Sequence, residues 1–127
     1  MTPNVGISSI TLFATDIDKT ASFYQVLGIN LEKTGSWSGY CYYLACLTGL
    51  GANQFFEVHP LQPGHQAVSA QGLGLSVDDV PEVLRNLLEL GVPITRKPAT
   101  PRLYQHCRHV TAIDPDGRRV RIHQRDK

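Results

Sequence analysis

The chain reads as an α+β protein built from two βαβββ modules in tandem, and three observations predict this. Residues 12–31 return as residues 75–94 at an offset of 63 with no gap. Leu12, Asp16, Leu27 and Gly28 fall on Leu75, Asp79, Leu90 and Gly91, while Ala14, Ile17, Ile29 and Leu31 fall on Val77, Val80, Val92 and Ile94. The closing strands echo each other too, with Phe56, Glu57, Val58 and His59 landing on Val120, Arg121, Ile122 and His123 at an offset of 64. Finally, each copy passes from an apolar strand through an acidic helix entry to a glycine stop. A repeat of this kind means two equivalent units, and two such sheets, each with a helix on one face, can curl around a shared cleft.

In the first unit, Ile10, Leu12 and Ala14 alternate with Ser9, Thr11 and Phe13, the pattern of a strand with two distinct faces. Asp16 and Asp18 place acid where a helix N-terminus favours it, Phe23 and Leu27 lie one turn apart, and Gly28 ends a helix expected over 18–27. A short strand over 29–33 and a turn-rich link over 34–39 follow. Tyr40 to Leu47 is dense in aromatic and apolar residues and predicts a strand. Residues 48–53, with two glycines, predict a hairpin turn before a strand over 54–59. The first module thus spans 7–60, and the polar stretch 61–71 is its linker to the second, over 72–124.

The second module opens with a strand over 73–77. Asp78, Asp79 and Glu82 flank Pro81 at a helix start, Leu84, Leu87 and Leu88 form its apolar stripe, and Gly91 stops it. Pro93 and Ile94 belong to a short edge strand. Residues 95–104, with Pro98 and Pro101, predict a loop, and residues 106–113 a strand. Asp114-Pro115-Asp116-Gly117 carries turn chemistry at each place, and 119–124 is the last strand.

Composition narrows the function. A chain of 127 residues with 42% hydrophobic and 18% charged residues can bury a real core. A formal net charge of +1 builds no field for nucleic acid or an anionic membrane. Cys41, Cys46 and Cys107 are odd in number and lack CxxC spacing, which argues against a disulfide framework and a thiolate zinc site. No stretch reaches the ~20 apolar residues of a membrane span, and no signal peptide is evident. A cytoplasmic protein is expected.

Residues 9–16 (SITLFATD), Ser22 to Tyr24 (SFY), and Leu27-Gly28 together resemble the opening of the vicinal oxygen chelate superfamily, which includes glyoxalases, extradiol dioxygenases, fosfomycin-resistance enzymes and bleomycin-resistance proteins. Residues 75–79 (LSVDD), Leu90-Gly91, and residues 114–117 (DPDG) look like its second half. The resemblance covers almost the whole chain. It implies the glyoxalase/bleomycin-resistance fold, two βαβββ modules with curled mixed sheets around a cleft, paired into a homodimer.

Enzymes of that family typically hold a divalent metal at four strand positions. Carried over by spacing, these are Ser9, Glu57, Gly72 and Arg121. Only Glu57 is a good ligand. Glycine offers no side chain, serine is weak beside imidazole or carboxylate, and arginine is a permanent cation. A catalytic metal needs about three protein ligands, so no metal cofactor is expected at this place.

Glu57 and Arg121 occupy equivalent positions, and the expectation is that the guanidinium replaces the cation and pairs with Glu57 in the cleft, leaving N–H groups for an anionic or carbonyl ligand. The plain alternative is two solvated strand charges. His59 and His123 lie two residues further on the same faces. The resemblance places His109 and Thr111 toward the cleft as well. A shifted site of Glu57, His59 and His123 for zinc, nickel, iron or manganese can be drawn, but i,i+2 residues sit ~6.5–7 Å apart along a strand, awkward for joint ligation. Polar pocket groups are the preferred reading of these histidines. Phe13 and Phe55 share faces with Ser9 and Glu57 and become candidate ligand contacts, with Tyr40, Tyr42, Tyr104 and Trp37 as further aromatics; more often such residues are core. Cys107 is read as a buried thiol, and Arg118, Arg119, Arg121 and Arg125 as a solvated edge.

Three functions remain open. The preferred one is a metal-independent small-molecule-binding protein like the bleomycin-resistance branch, sequestering a ligand between modules. The others are a glyoxalase, isomerase or dioxygenase-type enzyme with a shifted metal site, and a dimer scaffold without ligand.

Overall fold

Both modules begin from the same local chemistry. The Asp16 carboxylate accepts from the backbone N–H groups of Asp18 and Lys19 at 3.1 Å, and Asp79 accepts from that of Glu82 at 3.1 Å, so each aspartate satisfies orphan donors at a helix start. At the other end, Gly28 and Gly91 adopt φ of 105° and 78°, a conformation that lets the next N–H return to a helix carbonyl, Ile29 to Tyr24 and Val92 to Leu87.

The computed structural model describes residues 7–35, 39–49, 52–65 and 72–125. In chain order these form β1 (Ser9–Ala14), α1 (Ile17–Val26), β2 (Glu32–Gly35), β3 (Cys41–Gly49), β4 (Ala52–Pro60), β5 (Gly72–Val77), α2 (Val80–Glu89), β6 (Ile94–Arg96), a 3₁₀ turn (Pro101–His106), β7 (His109–Ile113) and β8 (Arg119–Gln124). Two four-stranded mixed sheets result, in the orders β1-β4-β3-β2 and β5-β8-β7-β6, with the first strand of each parallel to the last. The two sheets are thus copies of one design.

Some boundaries differ from the sequence reading. The expected strand over 29–33 starts only at Glu32, because Ile29 and Leu31 are used to bury the chain beneath α1 before pairing with β3 begins. Part of the expected loop over 95–104 is β6 and the 3₁₀ turn, which Pro101 opens and which displaces the start of β7 to His109. β4 starts earlier than expected, at Ala52, and residues 50–51 lie outside the described residues. Trp37 and linker residues 66–71 also lie outside them.

Strand alternation sorts the side chains. Leu12, Ala14, Phe56, Val58, Val110, Ala112, Val120 and Ile122 point to the helix side and join Phe23, Tyr24, Val80, Leu84 and Leu87 in one core shared by both modules. The residues between them, Thr11, Phe13, Phe55, His109, Arg121 and His123 among others, stand on the open face of each sheet and are exposed.

A buried polar cluster locks the modules together. Arg118 is 2% exposed and Asp114 3%. The guanidinium donates to Asp114 Oδ2 at 3.0 Å and to the Phe13 carbonyl, lies 3.6 Å from Asp116, and leaves Nε as a buried donor without a partner. The Tyr24 hydroxyl donates to Asp114 Oδ2 at 2.7 Å, and the Thr15 N–H reaches Asp116. The expectation that Arg118 belongs to a solvated edge is therefore corrected: β8 is an inner strand, and the turn before it carries Arg118 into the module interface.

Burial, then the Asp114 charge and the hydrogen bond to it, push the Tyr24 phenol far above its ordinary value. A folded pKa raised above the unfolded one contributes stability that is complete below about pH 10 and lost as pH rises beyond it. Denaturant unfolding between about pH 9 and pH 11.5 is accordingly expected to show a steeper fall for the wild type than for Tyr24→Phe; parallel slopes would remove this role.

Candidate functional site

On the first open face, β4 supplies Phe55, Glu57 and His59, β1 supplies Phe13 opposite His59, and β3 supplies Tyr42. Tyr42 stacks on the His59 ring at 4.3 Å with the planes 13° apart, and Phe13 and Tyr40 stand at 6.0 and 5.7 Å. His59 Nε2 lies 3.1 Å from Glu57 Oε1, and its Nδ1 lies 3.1 Å from the Tyr40 hydroxyl. An ionised Glu57 only accepts, so the network assigns the proton to Nε2; in the neutral ring Nδ1 then accepts from Tyr40. The outcome is a fixed imidazole in an aromatic box, with a carboxylate at its edge.

Glu57 has a partner within its own chain. Within the chain its carboxylate is bonded to His59, and among the described residues it makes no ion pair with Arg121. Although i,i+2 on β4, the two side chains lean toward one another and close the gap the backbone leaves.

The second open face has the opposite character. Thr111 on β7 stands opposite Arg121 on β8, and His109 opposite His123. The two imidazole centroids lie 6.2 Å apart with their planes inclined by 30°. With Arg96, Arg119, Thr95 and Gly72 they line a hollow of about 580 Å³. A Cβ built on Gly72 or Gly74 meets nothing within 4 Å, so these glycines leave open the space beside Arg119 and Arg121 to which they pair. No acidic side chain and no residue of the first module lines the hollow. Arg96 and Arg119 were not singled out in sequence as site residues; the parity of Arg119 with Arg121 was the available signal.

His109, Thr111, Arg121 and His123 are thus gathered on one face, and Phe13, Phe55, Glu57 and His59 on the other. Within one chain the second hollow is completed by none of the first group. The four family metal positions, Ser9, Glu57, Gly72 and Arg121, do not fit a metal, since they offer one carboxylate, one hydroxyl, no side chain and a cation. Nor do Glu57, His59 and His123 assemble in the chain: among the described residues no group of three or more His, Cys, Asp or Glu is placed to hold an ion.

Another hollow of about 690 Å³ lies on the helix side, between α1 and the segments after α2 and β7. Its acids are already engaged, Asp18 by Tyr43 and Lys33, and Asp114 by Tyr24 and Arg118. The Tyr43 hydroxyl and then the Lys33 ammonium hold the Asp18 carboxyl below its ordinary value. Its remaining polar side chains are Lys19 and Ser22 of α1. Among the described residues no helix is long and apolar enough to cross a membrane.

Solved structures share the architecture. TnmS3, an antibiotic binding protein from Streptomyces sp. CB03234, matches at TM-score 0.65 and 23% identity, over 99% of this chain and 100% of that one. A fosfomycin resistance protein, FosX from Listeria monocytogenes, complexed with Mn(II) and 1S,2S-dihydroxypropylphosphonic acid, matches at TM-score 0.63 and 19% identity, over 98% of this chain and 95% of that one. A lactoylglutathione lyase from Agrobacterium tumefaciens matches at TM-score 0.57 and 21% identity, over 97% and 96%. A search of curated proteins finds no match. The family model of the Glyoxalase/Bleomycin resistance protein/Dioxygenase superfamily matches residues 6–122, and with the paired βαβββ sheets this places the chain in that superfamily.

Proposed function

We propose that the protein binds a small molecule without a metal, holding it in a cleft made when the first open face of one copy meets the second open face of another. The observation that carries this reading is the donor set: at the positions where metal-using relatives converge on an ion, this chain has Arg121 and Gly72, which favour a ligand's own polar groups over a cation. Two incomplete and chemically different faces on one chain support the homodimer, since each needs an opposing wall to bury a ligand. The antibiotic-binding neighbour lends the same fold to the same kind of task.

In this reading Tyr42, Phe13 and Phe55 give flat apolar contact, while Thr111, His109, His123 and Arg121 orient the ligand's polar end. Sequestration requires no bond to be made or broken, so affinity is the whole function. Glu57 and His59 support one second reading, because their adjacent donors could join His123 of another copy around a zinc, nickel, iron or manganese ion.

The two readings separate by metal removal. Protein stripped with EDTA is expected to keep its dimer mass, its melting temperature and its response to a panel of aromatic antibiotics; a ligand present at 100 times Kd stabilises by about 2.7 kcal/mol. Stoichiometric divalent metal whose removal abolishes ligand response would overturn the metal-independent reading in favour of the enzyme. A monomer that binds with full affinity would overturn the cleft between copies.

A further inference from the structure

We propose that the ligand is a planar aromatic anion, a carboxylate, sulfonate or phenolate on a fused or extended ring; this rests on the small-molecule-binding reading above. The inference comes from the unequal chemistry of the two faces. Arg96, Arg119 and Arg121 line the second hollow with no acid among its walls, and none of the three forms an ion pair among the described residues.

Arginines on a surface are ordinarily solvated, and three of them alone would say little. Here they converge on a concave space over a glycine strand, with two imidazoles and the Thr111 hydroxyl beside them. A planar guanidinium fork matches a carboxylate or sulfonate edge bidentately, and a charge-assisted contact is roughly twice as strong as a neutral one. The opposing face brings Glu57, whose carboxylate is held by His59, and Glu32 on the outer strand β2. Three guanidinium groups against two carboxylates leave the closed cleft cationic. Tyr42 and His59 are stacked face to face, and an aromatic body can extend that stack on an outer ring face. One face thus selects the ring and the other its charge.

Isothermal titration with 2-naphthoate, 2-naphthalenemethanol and 2-naphthylmethylammonium tests this on the full chain, using one ring system with three charges. Naphthoate is expected to bind at least tenfold more tightly than the alcohol, and the ammonium more weakly than either. Arg121→Gln is expected to weaken naphthoate about tenfold while changing the alcohol less than twofold. Arg85→Gln, on the exposed side of α2, should change neither. The naphthoate preference should also shrink as salt is raised from 50 to 500 mM, because exposed charges are screened. Melting curves of each variant confirm folding, which Arg121, an exposed residue, does not limit. If the alcohol or the ammonium binds as tightly as naphthoate, the anion is overturned and small-molecule binding stands. If none of the three binds and the antibiotic panel is silent too, both fall.

Discussion

Asp114→Asn is expected to lower the unfolding free energy by about 3–5 kcal/mol, which for a chain of 127 residues moves the melting temperature down by about 10–20 °C. The substitution preserves shape, removes the charge, and replaces one acceptor oxygen with an NH2 donor, although Oδ1 accepts from the Asp116 and Arg118 backbone N–H groups and Oδ2 from Tyr24 and the Arg118 guanidinium. Arg118 would remain buried, with Asp116 at 3.6 Å as its nearest carboxylate and its Nε still unpartnered. Tyr24 would lose its ionised acceptor at the same time. Removing one member of a buried ion pair strands the other, and the desolvation cost that the pair had offset is then uncompensated. Asp114→Asn combined with Arg118→Met should recover part of the loss, because the stranded cation is gone. The check is a double-variant cycle by denaturant unfolding. A loss below about 1 kcal/mol for Asp114→Asn alone would mean that the cluster positions the modules without stabilising them.

Phe56→Ala and Phe55→Ala, neighbours on β4, are expected to behave as opposites. Phe56 is fully buried and stands 5.1 Å from the Tyr24 ring at the centre of the shared core. Its truncation removes a large apolar side chain and leaves a cavity, at a cost of about 3–5 kcal/mol. Phe55 is 42% exposed on the open face. Its truncation should stay within about 0.5 kcal/mol of wild-type stability. Aromatic-ligand affinity should instead fall several-fold, because about 1 kcal/mol of ring contact is lost. Thermal melts and ligand titrations on the two variants read both effects. Equal stability losses would mean that the open face is packed against something in solution.

The repeat made the architecture legible. Asp16 and Asp79 at the helix starts, Gly28 and Gly91 at their ends, and the alternation through Leu12, Phe56, Val120 and Ile122 are all local signals with one structural solution. Local signals failed where a distant partner decided the outcome. β2 begins where β3 pairs with it, and Arg118 looks like a surface residue until the module interface closes over it. The same limit applied to the site. Parity put His59 on the face of Glu57 and His123 on that of Arg121, yet it could not say which of them would touch. Glu57 meets His59 because both lean along one strand and Tyr42 stacks on the imidazole.

From the sequence alone came two equivalent modules, the two faces of the first strand, and the shared faces of Glu57 with His59 and of Arg121 with His123, since these depend on residue type and spacing; the family resemblance added the positions Ser9, Glu57, Gly72 and Arg121, a donor set unsuited to a metal. Only the tertiary structure decided that the modules share one core through their helix sides, that Asp114 and Arg118 lock them together, and that one open face is aromatic and acidic while the other is cationic. Those facts depend on contacts between residues up to 105 positions apart, Phe13 with Arg118, and no local pattern encodes such a contact: it forms because burying both helix faces together satisfies the hydrophobic surface and the buried charges at once.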